Sequence, residues 1–206
     1  NLKLVKQENQ VQLFQGTDVK ELILSLSVED QFESFVTDNE NTIVTDVFRK
    51  VHKEEAKRII NTIDDFVGEN LIYKRNKKYL VPKLMYEKNP FFGLNDLPDF
   101  LTPFDIDFLA EISYLKAFLH FYLNSNTNFD LRKNHWIIGG LQTYLIIKYI
   151  EKFHPNQKFI GRIADFKIMK GYNIANINFN ESFFMFYELM EKTNLQQSDL
   201  LPKDQL

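Results

Sequence analysis

TPFDIDFLAEISYLKAFLHFYL, residues 102–123, is the stretch at which the chain changes from strand-like to helix-like patterning. Thr102-Pro103 forms an N-cap and first-turn pair, and Asp105 adds negative charge where a helix dipole favours it. Apolar residues then recur at helical spacing, at Phe108, Leu109, Ile112, Leu115 and Leu119, which predicts an amphipathic helix to about Leu123. A polar loop, Asn124 to Asn134, leads to a second helix that must end before His154-Pro155. Two further helical patterns follow, near Phe159 to Lys170 and Glu181 to Leu195.

Upstream the punctuation is different. Val11 to Gln15, Glu21 to Val28, Phe32 to Thr37 and Thr42 to Thr45 are short β-branched or aromatic runs split by turn signals, among them Asp38-Asn39-Glu40-Asn41. One strong helix interrupts them. Val47, Val51, Ile59, Ile60, Ile63, Phe66 and Val67 form its apolar side, and Gly68 is a natural stop. Strands resume at Leu71 to Tyr73 and Tyr79 to Tyr86, before a Pro- and Asn-punctuated segment, Asn89 to Thr102. The expected class is α+β, with β-rich residues 1–100 and helical residues 101–206 in one domain. With no starting Met and no tail-like composition, the chain reads as a fragment of a longer protein.

Composition narrows the function classes. A net charge of −3 argues against nucleic acid as the main partner, which would need clustered Lys and Arg. The one dense basic run, Lys74, Arg75, Lys77 and Lys78, reads as a solvated turn between strands. The absence of cysteine removes disulfides, thiolate catalysis and cysteine zinc sites. No apolar stretch reaches the length of a membrane span. A nucleophile elbow, a dinucleotide fingerprint and a phosphate-binding loop are all missing. Asp105, Asp107 and Glu111 could be taken for a carboxylate site, but a first-turn position explains them structurally.

Two short segments carry more. The second helix contains Trp136-Ile137-Ile138-Gly139-Gly140-Leu141-Gln142-Thr143-Tyr144, and eighteen residues separate Gly139 from His120, which ends Lys116-Ala117-Phe118-Leu119-His120. This resembles the aminopeptidase-N-like zinc metallopeptidases, whose gluzincin domain is thermolysin-like. There H-E-x-x-H on one helix is followed, eighteen residues on, by a ligand Glu within W-x-x-E-G-x-x-x-Y. Two His at i and i+4 grip zinc from one helix face while the Glu between them acts as general base. Aligned so, His120 is the second His of the pair. Lys116 stands where the first belongs, Ala117 replaces the general base, and Gly139 replaces the third ligand.

The resemblance implies more. Gly93-Leu94-Asn95-Asp96 falls where the family's substrate-binding G-x-M-E-N segment lies, so Gly93, Asn95 and Asp96 would be substrate-binding residues, Asn95 without the usual charge. Phe179 or Phe183 stands where a catalytic Tyr is expected. Many members in AT-rich bacterial genomes are exported, which implies a cell-envelope or periplasmic setting.

A protonated Lys116 offers no lone pair to a metal and repels cations, so no zinc cofactor is expected. His52, His135 and His154 read as surface or cap residues. Gly139-Gly140 has a second reading, as a close helix–helix approach. The expected function is a catalytically inactive pseudo-peptidase that binds a peptide or protein. The alternatives are an active zinc aminopeptidase whose site is misaligned or incomplete, and a purely structural α+β module.

Overall fold

A computed structural model describes residues 3–8, 11–16, 32–71, 77–88, 90–91, 102–126 and 131–181, with the side chains of 3, 8, 11, 12, 125 and 131–136 outside that set. Strands β1 (Lys3–Glu8) and β2 (Val11–Gln15) form an antiparallel hairpin with an irregularity between Leu4 and Lys6. A separate three-stranded sheet has the order β3 (Glu33–Val36), β4 (Thr42–Thr45), β5 (Lys78–Val81). β3 and β4 are antiparallel, joined by the Asp38–Asn41 turn in which Glu40 takes φ 64. β4 and β5 are parallel, because the intervening α1 (Lys53–Asn70) carries the chain back across the sheet. The α+β class therefore holds, with one β-α-β crossover inside it that the strand-then-helix reading did not contain.

α1 buries Ala56, Ile59, Ile60, Ile63, Phe66 and Val67 on an i, i+3, i+4 face, while Val47 and Val51, expected on that face, precede the helix. Gly68 does not stop it. The helix continues to Asn70, and Leu71 caps it by donating its N–H to the Val67 carbonyl, while the rest of the expected strand, Ile72 and Tyr73, lies outside the described residues. The expected strand from Tyr79 ends at Val81. Pro82 has no N–H for a ladder but suits a helix start, and it leads into α2 (Lys83–Glu87). Of the basic run, Lys77 and Lys78 are described, and Lys78 opens β5.

α3 (Ile106–Asn126) starts later and ends later than expected. Asp105, not Thr102, precedes its first turn, and its carbonyl accepts the N–H of Leu109. The chain stays helical through Asn124–Asn126 and is helical again from Leu131, the first residue of α4 (Leu131–Phe153), so the polar loop is shorter than expected. α3 is also less amphipathic. Besides Phe108, Ile112, Leu115 and Leu119 it buries Tyr114, Ala117, Phe118 and Tyr122. A helix apolar on more than one side belongs in the interior, and α3 packs against β5, α2 and α4. Phe118 lies 5.3 Å from Tyr79 of β5 and 5.8 Å from Tyr114, which ties the sheet to the helices.

After α4 the chain is not α-helical over 159–170. It runs through 3-10 turns at Gly161–Asp165, Met169–Gly171 and Asn173–Asn176. Gly161 explains part of this, since its φ of +54 is incompatible with an α-helix. A Cβ there would stand 2.3 Å from the Pro103 carbonyl oxygen, and the adjacent Arg162 N–H donates to that oxygen at 2.8 Å. This close approach docks the 3-10 region onto the entrance of α3. The expected strand at 21–28, the segment Gly93–Asp96 and the pattern beyond Glu181 lie outside the described residues. Among those residues no helix is long and apolar enough to cross a membrane.

Candidate functional site

The α3–α4 pair positions the residues singled out in the sequence. Two cross-links define its register. Glu111 of α3 accepts a hydrogen bond from the Tyr149 hydroxyl of α4, and Gln142 Nε2 of α4 donates to the Lys116 carbonyl at 2.6 Å. Residue numbers rise on α3 as they fall on α4, so the helices are antiparallel, and the same register sets His120 level with Gly139. Lys116 and His120, one turn apart, share a face of α3.

Each of these positions has a definite environment. Lys116 is largely buried, with Nζ 5.8 Å from the centroid of Phe91. Burial in apolar surroundings pushes its ammonium pKa down to about 8. Ala117 is 1% exposed and faces the core. His120 Nε2 lies 3.0 Å from Asn124 Nδ2, one turn further along. Asn124 is 6% exposed, and its Oδ1 is buried without a hydrogen-bond partner among the described residues.

Gly139 and Gly140 are not a close-packing pair. A Cβ on either would meet no atom within 4 Å, and Gly140 is exposed. Gln142 and Tyr149 instead bond across to α3, while Leu145, Ile146 and Ile150 are buried in the core. Gly139→Ala is therefore expected to stabilise the protein by about 0.5–1 kcal/mol, the ordinary gain for an unobstructed helix interior. Thermal unfolding would show it, and a loss of stability would place an atom in that space.

Donor chemistry decides the fit of a family-type zinc site. Lys116 presents an ammonium, Ala117 no carboxylate and Gly139 no side chain, so a single imidazole is left where three protein ligands are needed. The set does not fit zinc. Tyr144 is 58% exposed, and Phe179 is buried among Phe91, Phe104 and Phe108 as a core residue. His135 and Trp136 have their backbone in α4 and their side chains outside the described set. Gly93, Asn95, Asp96 and Phe183 lie outside it altogether.

Two polar clusters escaped the sequence reading. Glu111 is not a first-turn residue of α3. It is 5% exposed, bonded to Tyr149, and its Oε2 lies 3.2 Å from His154 Nε2, at ion-pairing distance but out of line for a hydrogen bond. His154 is accordingly no surface cap, and its ring packs edge-on against Phe108 at 5.1 Å. Burial, the Glu111 charge and the hydrogen bond to Glu111 together push the Tyr149 hydroxyl far above its ordinary pKa. Asp105 and Asp107 stay exposed, so no carboxylate group forms with Glu111.

The second cluster sits between sheet and α1. Asp64, 1% exposed, accepts from Asn41 Nδ2 at 3.3 Å and from Asn39 Nδ2 at 3.3 Å, which staples the β3–β4 turn to α1. His52 is the exposed residue before α1 and its side chain makes no cap bond. Comparison with protein-family models, curated proteins and solved structures returned no match for this chain.

Proposed function

We propose that this chain is a pseudo-peptidase domain, laid out like an aminopeptidase-N-like catalytic domain, that binds a peptide without hydrolysing it through zinc. The observation that carries the reading is the set of side chains at the α3–α4 level where the resemblance puts the zinc ligands. His120 remains at the right interval from Gly139, while an ammonium, a methyl group and a hydrogen occupy the other three positions. An imidazole alone leaves a metal two protein ligands short. Ala117, at the position of the general base, has no carboxylate to take a proton from an attacking water.

Elemental analysis of untagged protein, expressed with zinc and purified without chelator, tests this. Well below one zinc per chain is expected, together with no hydrolysis of unblocked peptides. Stoichiometric zinc that a chelator removes along with peptide hydrolysis would refute the proposal.

A further inference from the structure

Two polar groups on the face of α3 that carries His120 have unmet bonding capacity. The Lys116 ammonium makes no hydrogen bond or ion pair with any described residue and rests against the Phe91 ring. Asn124 Oδ1 is a buried acceptor with no donor among the described residues. The two lie one turn either side of His120, at i, i+4 and i+8. An α-helix rises 1.5 Å per residue, so their backbone positions are about 12 Å apart. Gly139, level with His120 on α4, presents no side chain, and a Cβ there would meet no atom within 4 Å.

Such a pair is costly in an empty protein. A desolvated cation and an unsatisfied amide oxygen both lose their bonds to water. A ligand that supplies an anion at one end and an N–H at the other satisfies both. An extended chain covers about 3.3 Å per residue, so a peptide of three or four residues spans the interval. We infer that this face of α3 binds the carboxylate end of a short peptide. Lys116 pairs with the carboxylate, and Asn124 Oδ1 accepts a backbone N–H from the same ligand. This rests on the pseudo-peptidase reading and specifies what its site holds: the charge that selects the ligand is a fixed ammonium, and the ligand group it selects is an anion.

The test compares N-acetyl-trialanine as its free acid with the same peptide as its C-terminal amide, titrated at millimolar concentration into the full chain and followed by amide shifts in heteronuclear NMR. The free acid is expected to bind at least tenfold more tightly. In Lys116→Met, which is unbranched, one atom shorter and apolar, the two forms should bind within twofold of each other. Asn124→Leu should weaken both forms several-fold, because it removes the acceptor and leaves the cation. Equal binding of acid and amide to the unmodified protein would overturn the carboxylate anchor while peptide binding stood. Binding of neither form would overturn both the anchor and the peptide-binding function.

Discussion

Lys116→Met is expected to make the protein more stable at pH 7, by on the order of 1–3 kcal/mol. The Lys116 pKa falls from 10.5 to about 8 because burial disfavours its charged form. The sign follows from linkage. Between those values the unfolded chain holds a proton at this lysine that the folded chain has released. The penalty is therefore complete below pH 8, shrinks as the pH rises and is gone above 10.5. The unmodified protein should gain stability from pH 8 to about 9.5 relative to Lys116→Met, which lacks the titrating group. Above pH 10 the buried tyrosines oppose this trend. Burial raises Tyr79 to about 12 and raises Tyr149 further, so tyrosines that stay neutral in the folded protein ionise in the unfolded chain. Urea unfolding of both proteins at several pH values between 7 and 9.5 measures the difference. A destabilised Lys116→Met variant, or two parallel pH curves, would mean that the ammonium has a partner in solution.

Tyr149→Phe is expected to cost about 1–3 kcal/mol, a large effect for the loss of one oxygen. The hydroxyl itself contributes modestly. The cost comes from Glu111, which stays 5% exposed after losing the donor that satisfied it, next to a His154 that is poorly aligned to take over. Glu111→Gln should cost less, since its amide oxygen still accepts from Tyr149. The double variant Tyr149→Phe/Glu111→Leu should recover much of the loss, because removing both partners strands neither. Denaturant unfolding of the unmodified protein, Tyr149→Phe, Glu111→Leu and the double variant forms a cycle. Additive losses would show that Glu111 and Tyr149 do not depend on each other. The pair matters to the site because, with Gln142, it defines the α3–α4 register that brings His120 level with Gly139.

Much of the secondary structure was legible because its signals are local. Thr42–Thr45 is a strand with Ile43 and Thr45 inward, and α1 buries the apolar face its spacing predicts. α4 ends at Phe153, ahead of His154-Pro155. The misreadings have local causes too. Gly68 looked like a stop, but a glycine inside a helix costs only about 1 kcal/mol, which the packing of Phe66 and Val67 beneath it outweighs. Asn124 was taken for loop. With α3 carried to Asn126, its i+4 relation to His120 would have been readable from the sequence alone.

By itself, then, the sequence determined the α+β order, the inward face of α1, and the interval of eighteen residues between His120 and Gly139. Each depends on periodicity or on counting along the chain. Tertiary structure alone decided that Glu111 is a buried acid bonded across 38 residues to Tyr149, and that Asp64 staples a turn to α1. It also decided that Gly161 must admit the Pro103 carbonyl and that Lys116 loses its hydration. These are matters of what surrounds a group, and desolvation depends on neighbours in space that spacing along the chain does not specify.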